Sequence, residues 1–461
     1  MKRASGGKIL ATFVLFLSVA AFAADHGATV AVCKRPGGKW TYEPTRTIAG
    51  LAAYAKPPDA LPLDSYGGDP ARRAGATGFF CTKKVEDRWW LIDPDGGFFI
   101  HVGVSAVTPG RSSDSRAAFQ ERYSSDRKWA GQTSRMLRSR GFNGAGAWSA
   151  DALLRGTSPR LVYTLIWNFM SEYGRQRGGT TQQPGHTGYP NDCIFVFDPE
   201  FETFCDSRAK ALAATRSDPY LLGHFSDNEL PFPDNALDLY LQLKPDDPGR
   251  KAAQEWLKKR GQDGTAVTDK DREVFLEYVA DMYFKITTGA IRKYDPHHLC
   301  LGARFHGTTL GSPAVFRAAG KYLDVISINY YDAWTPHPYS LRAWEQWADK
   351  PLLITEFYVK GADSGLPNKS GAGWIVKNQN DRGLFYQNFV LGLWESGVCV
   401  GWHWFKYMDN DPSDRSTDPS NRDSNKGIVT SRYVEYAPLL ERMAELNTQV
   451  YELADYFDKR R

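Results

Sequence analysis

After Ala23 the chain has no apolar run long enough to cross a bilayer, which excludes a spanning helix in the body of the protein. Nor does it concentrate charge of one sign. Its 57 Lys and Arg stand against 53 Asp and Glu, the net charge is only +4, and the basic residues are scattered. Nucleic-acid binding needs a gathered basic face, so that class is set aside. Cysteine is sparse, with 6 in 461 residues, and no pair has zinc-finger spacing. The segment Val102-Gly103-Val104-Ser105 lacks the Gly-x-Gly-x-x-Gly turn of a dinucleotide-binding sheet. His101-Val102-Gly103 likewise lacks the His-x-His of a metal-dependent barrel hydrolase. No internal repeat is found.

What is there begins with a basic start, Lys2, Arg3 and Lys8, then an apolar run from Ile9 to Ala21 and the small-x-small site Ala21-Phe22-Ala23. That order describes a secretory leader over residues 1–23, and hence a secreted or periplasmic protein. Export permits disulfides. Cys193 and Cys205 are the expected pair and Cys33 with Cys81 the weaker one, while Cys300 and Cys399 sit in apolar runs that read as core. Hydrophobic residues make up 42% of the chain, enough for a large core. The 14 Trp, 23 Tyr and 25 Phe are first of all core material. Near loop ends, Trp and Tyr also suit the apolar face of a sugar ring.

Residues 24–85 are rich in Gly, Pro and Ala and read as an extension packed on a catalytic domain spanning 86–461. Trp89–Ile92 and Phe98–Phe99, separated by Asp93-Pro94-Asp95-Gly96-Gly97, predict a hairpin. Eight apolar runs follow, at 99–107, 142–148, 161–169, 220–229, 299–305, 325–331, 352–358 and 398–407. Amphipathic stretches at 117–140, 199–216, 271–294 and 378–396 lie between several of them, and 432–456 comes after the last. Continuous apolar strands alternating with helices predict an α/β fold, a (β/α)₈ TIM barrel with an N-terminal extended segment and hairpin. Long loops at 178–192, 231–270 and 409–426 each follow a strand, at the end where such barrels build their sites.

Two carboxylates occupy that end. Glu229 closes the fourth run and Glu356 lies near the end of the seventh. Across a barrel mouth such a pair can stand about 5–5.5 Å apart, the spacing that suits a double displacement at a sugar. Asn228-Glu229 with Glu356 resembles the retaining (β/α)₈-barrel glycosidases of the 4/7 superfamily. Asp227-Asn228-Glu229-Leu230-Pro231, Thr355-Glu356-Phe357-Tyr358, the segment Gly361–Pro367 and Gly401-Trp402-His403-Trp404-Phe405 are similar to the β-agarases of glycoside hydrolase family 50. The similarity runs from roughly Trp89 to Lys426. The resemblance implies Glu229 as acid/base, Glu356 as nucleophile, Asn228 on the sugar 2-hydroxyl, and agarose or a related galactan as substrate.

Around the pair, Tyr330 would orient the nucleophile, or be a core Tyr with a satisfied hydroxyl. Trp402 and Trp404 share a side of the eighth strand, so one would lie under a sugar and the other in the core. Arg304 and His306 would meet substrate hydroxyls or form loop ion pairs. Trp148 is placed among the substrate-binding residues, and Trp374 forms an outer subsite or surface packing. The loop with Asp409, Asp411, Asp414, Asp418 and Asp423 lacks the Gly and Glu of an EF-hand and reads as solvated rather than metal-binding. The chemistry needs no metal or cofactor. The expected partner is a poly- or oligosaccharide, and the oligomeric state is open. A β-galactosidase or β-glucanase on the same barrel, an inactive sugar-binding barrel and a lyase stay open as alternatives.

Overall fold

The computed structural model describes residues 27–56, 58, 61–261 and 266–461, so the expected leader at 1–23 lies outside the described residues. Each of the eight apolar runs contains one barrel strand. These are β1 (His101–Val104), β2 (Gly144–Ala145), β3 (Val162–Ile166), β4 (Leu221–Phe225), β5 (Leu299–Gly302), β6 (Ile326–Asn329), β7 (Leu352–Glu356) and β8 (Cys399–Trp404). Their pairings are parallel throughout, and β8 pairs with β1. The ring closes where Phe305, just past β5, bridges Ile328 in β6. The chain therefore has the expected (β/α)₈ barrel.

The shortest strand, β2, passes close to buried histidines. A Cβ on Gly144 would fall 2.3 Å from His101 Nε2, and one on Gly146 would fall 2.6 Å from His403 Nδ1. Only glycine lets the backbone approach that closely. The stretch 117–140 forms two helices, Ser113–Arg122 and Asp126–Ser139, because Ser124 is left-handed and Ser125 caps the second through Lys128 N–H. The final stretch also divides, into Ala437–Asn447 and Val450–Asp458.

Residues ahead of the barrel serve both of its ends. Strands Asp69–Arg73, Cys81–Val85, Arg88–Ile92 and Gly97–Phe99 make an antiparallel sheet that contains the expected hairpin. Asp93 fixes the hairpin turn by accepting from Asp95 N–H and Gly97 N–H, both at 2.9 Å. Phe80, Leu91 and Phe99 from this region pack in one cluster with Val162, Leu222, Leu299, Val325 and Leu353. These are residues at the beginnings of barrel strands, so the sheet plugs the N-terminal end of the barrel. At the other end, strand Ala28–Cys33 pairs with Thr41–Thr45 and with Ile375–Val376, which in turn pairs with Lys360–Gly361 beyond β7.

This arrangement corrects the disulfide expectation, for all six cysteines are free. Cys33 lies on the strand beside the β7 loop and Cys81 in the plug, at opposite ends of the barrel. Cys193 donates to Asn191 O, while Cys205 is buried on the helix Phe201–Ala209.

Candidate active site

A cavity of about 820 Å³ opens where the barrel strands end. Just past β1 to β5 the backbone turns through a left-handed non-glycine residue in each case: Ala106 (φ 53°), Trp148 (φ 67°), Asn168 (φ 53°), Glu229 (φ 51°) and Arg304 (φ 51°). Such conformations are costly for residues with a Cβ and cluster at functional rims. Here they re-aim side chains toward the mouth, and four of the five line the cavity.

Glu356, the last residue of β7, is buried and receives two strong donors, Arg304 Nη2 and Tyr331 Oη. Arg304 is wholly buried beneath Trp148, its guanidinium 5.6 Å from that ring centroid and 5.5 Å from Phe225. A buried guanidinium needs a compensating charge, and Glu356 supplies it.

Glu229 has different surroundings. Its Oε1 accepts from the neutral amide of Asn329 at 2.7 Å. Burial pushes its carboxyl above the ordinary value, and the nearby charge of Glu356 adds to that. Asn329 also donates to Asn228 Oδ1 at 3.2 Å and accepts from Thr355 Oγ1 at 2.7 Å. The rim thus reads Glu229, Arg304, Asn329 with Tyr331, then Glu356, following β4, β5, β6 and β7. His306 donates from Nδ1 to Asn329 O at 3.2 Å, which leaves Nε2 without a protein partner among the described residues. Asp227 turns away from the mouth. It accepts from Met170 N–H (2.9 Å), Ser171 N–H (3.2 Å) and Tyr283 (2.7 Å), capping the helix Phe169–Arg177. Burial outweighs those bonds and lifts its carboxyl to about 7.

The β8 side of the cavity is cationic. Burial lowers Lys406 to about 8; burial and the charge of Lys406 lower Lys426 to about 7. Lys426 donates to Ser420 O at 2.8 Å and stands 4.6 Å from the Tyr358 ring centroid. Overhead, the hairpin Thr181–Gln183/His186–Gly188 meets the polar loop after β8. Gly185 N–H and Gln182 Nε2 donate to the Asp418 carboxylate at 3.1 and 3.3 Å. Asn228 Nδ2 reaches Gly185 O at 3.5 Å.

Glu229, Glu356, Asn228, His306 and Trp148 therefore line one cavity, with Arg304 directly behind Glu356. Two other placements need correction, and Trp374 lies apart from this cavity. Tyr330 points outward, accepting from His337 N–H at 3.0 Å and packing on Trp344 and Phe389; its neighbour Tyr331 meets Glu356. Trp402 and Trp404 do share a side, but it is the side facing the helices. Both are fully buried, donating to Tyr386 Oη (2.9 Å) and Lys426 O (2.8 Å), so neither can lie under a sugar. Trp374 stacks on Trp334, centroids 5.9 Å apart, in the wall of a smaller cavity. Sequence reasoning missed Tyr331, Asn329, Thr355, Lys406 and Lys426. Asn329 and Thr355 carried the available signal, as polar residues at the ends of otherwise apolar strands.

Among the described residues, His224, Asp295 and His298 have ligand atoms close enough to hold a metal. Their hydrogen bonds are already complete. Trp167 donates to His224 Nδ1 (3.0 Å), His224 Nε2 and His298 Nδ1 donate to Asp295 (2.9 and 2.8 Å), and His298 Nε2 donates to Asp218 O (3.0 Å). Burial works against the Asp295 charge, but the histidine bonds prevail and hold it well below the usual carboxylate range. In the polar loop, Asp411 and Asp414 each close a turn onto a nearby serine, and Asp409 accepts from Lys426 N–H and Gly427 N–H.

Barrel, paired carboxylates and roofed mouth define a class, the (β/α)₈-barrel proteins with a two-carboxylate site after β4 and β7. Within it, the chain belongs to glycoside hydrolase family 50. It is 30% identical to BpGH50, whose crystal structure it matches with a TM-score of 0.83 over 94% of this chain and 96% of that one. It is 26% identical to β-agarase B and to β-agarase A of Vibrio sp. (strain JT0107), over 84% of this chain and 50% and 48% of theirs respectively. The chain thus spans about half the length of the curated relatives it matches. The structure of PfGH50B, at 22% identity and a TM-score of 0.72, covers 85% of this chain and 69% of its own and shares the fold. No family model matches the chain.

Proposed function

We propose that this chain is an exported glycoside hydrolase that cleaves β-linked agarose or a related galactan by double displacement with retention. The observation that carries the mechanism is the unequal treatment of two neighbouring carboxyls. Glu356 accepts from a guanidinium and a phenol, which hold its carboxylate at the mouth, so it is the nucleophile. Glu229 is buried, lies beside the charge of Glu356 and accepts its hydrogen bond from a neutral amide; burial and that charge outweigh the opposing pull of His306 and Arg304, so it keeps its proton for the leaving oxygen. Once Glu356 is esterified its charge is gone, the carboxyl of Glu229 falls, and Glu229 turns from acid to base for the incoming water. Asn228, held by Asn329, takes the sugar 2-hydroxyl, and Trp148 supplies an exposed ring at the rim. Agarose is supported by the names of the two Vibrio relatives.

The roof made by Gly185, Gln182 and Asp418 supports cleavage at chain ends rather than within chains. Incubation with agarose and a panel of other β-linked polysaccharides, with NMR of the first-formed anomer, tests the whole reading. An inverted product sinks the two-step mechanism, and turnover of another polysaccharide but not agarose sinks the substrate. Products carrying an unsaturated sugar would make the protein a lyase.

A further inference from the structure

Beside the cleft lies a second cavity of about 470 Å³ lined by Lys34, Arg35, Lys360, Lys369 and Trp374, with Asp332 as the one acid in its wall. Gly371 and Ala372 wall both this cavity and the main one, so a chain leaving the cleft past them runs onto this cationic shelf. Its construction is specific. Lys34 and Arg35 form the turn that follows strand Ala28–Cys33, and the register Val32 to Val376 and Cys33 to Ile375 fixes that turn beside the β7 loop. Cys33 Sγ–H and Gly38 N–H both donate to Arg35 O, at 2.6 and 3.0 Å, and hold the turn closed.

Lys360 is buried and spends its ammonium on the carbonyls of Asn368, Ser370 and Gly371, at 3.0–3.2 Å, which shapes the loop that presents Lys369. Asp423, behind that loop, is occupied by Lys369 N–H and Ser370. The ammonium of Lys34 rests 5.1 Å from the Trp374 ring centroid. The side chains of Lys34, Arg35 and Lys369 are exposed and form no ion pair among the described residues.

We propose that this shelf is a subsite for a sugar bearing a fixed negative charge, a sulfate ester or a carboxylate, on the same polysaccharide chain that enters the cleft. The inference rests on the glycan-binding reading above and deepens it. Exposed cations beside a low-dielectric wall raise the local concentration of an anionic chain and steer it. The face of Trp374 covered by Lys34 offers no bare stacking platform, so charge rather than ring stacking is the recognition chemistry.

The test is binding, measured by calorimetry on Glu356→Gln protein so that turnover does not intervene. Neutral agaro-oligosaccharides are compared with sulfated and uronate-bearing galactan oligosaccharides of equal length. Removing the shelf charges with Lys34→Ala/Arg35→Ala/Lys369→Ala should weaken the charged ligands about tenfold and leave the neutral one unchanged. Charge reversal with Lys34→Glu/Arg35→Glu/Lys369→Glu should weaken them further, and both losses should shrink as salt shortens the screening length. Loss for the sulfated ligand alone assigns a sulfate ester, and loss for the uronate alone assigns a carboxylate. Equal binding of charged ligands to the wild-type shelf and both variants overturns the proposal. Hydrolysis of neutral agarose by the triple variant in the Glu356 background restored to Glu separates that failure from failure of the hydrolase reading.

Discussion

The two ends of the barrel are built on opposite rules. At the N-terminal end a hairpin sheet presses Phe80, Leu91 and Phe99 into a ring of Leu and Val, and the charged groups buried there, Asp93 and Arg88, are spent on the hairpin turn and on an ion pair with Asp458. At the C-terminal end the backbone is left-handed after five successive strands, a guanidinium is buried, and carboxyls and ammonium groups are pushed off their ordinary ionisation ranges. The base adds stability and asks nothing of the chemistry; the mouth does the reverse. Stability and function are thus separable along one axis of the molecule.

The largest effect should come from Glu356→Gln, a loss of kcat on the order of 10⁴-fold. The same change should lower Tm, because Arg304 keeps its charge and loses the carboxylate it is paired with. Adding Arg304→Met should restore Tm without restoring turnover; if Tm does not recover, the ion pair is not what Glu356 contributes to the fold. Next, Phe99→Ala in the plug should cost about 3–5 kcal/mol in denaturant unfolding, with kcat of the remaining folded protein unchanged. A fall in kcat equal to that of a mouth variant would break the separation of the two ends.

A smaller effect distinguishes neighbours. Tyr331→Phe should reduce kcat roughly tenfold by removing one hydrogen bond to a charged group, whereas Tyr330→Phe should leave it nearly unchanged. The smallest concerns Glu229→Gln, read as stability rather than activity. A carboxyl whose folded value is raised stabilises the native state below its ordinary value of 4.5 and loses that contribution as pH rises through the folded value. Glu229→Gln should therefore match wild type near pH 4 and gain Tm over it toward pH 7. An unchanged Tm difference across that range would remove the argument for Glu229 as the proton donor.

The barrel was legible because its strands are buried on both faces and so appear as unbroken apolar runs, and Glu229 and Glu356 stood out as charges ending two of them. Finer placement was not legible. At the end of β6 a shift of one residue decides whether Tyr330 or Tyr331 meets Glu356, and two adjacent tyrosines carry no mark of which one faces inward. Trp402 and Trp404 show the same limit: alternation put them on one side correctly, but only the helix Gln379–Glu395 packed against them reveals which. Asn329 and Thr355 act as a relay between strands that meet only in three dimensions. The cysteine pairing failed for a related reason, since closeness in sequence within the extension says nothing of which end of the barrel each strand joins.

That same joining sets an order of assembly. Strand Ala28–Cys33 waits for Ile375–Val376, β1 waits for β8, and Arg88 waits for Asp458, which it grips through three hydrogen bonds at 2.8–3.0 Å. Contacts of such long sequence separation form late and slowly. Until the last strand is made, the early strands have unpaired edges of the kind that invite association with other chains. A chain truncated before Ile375 would keep one of those edges open permanently, and the Lys34–Arg35 turn would lose the partner strand that now holds it beside the cleft.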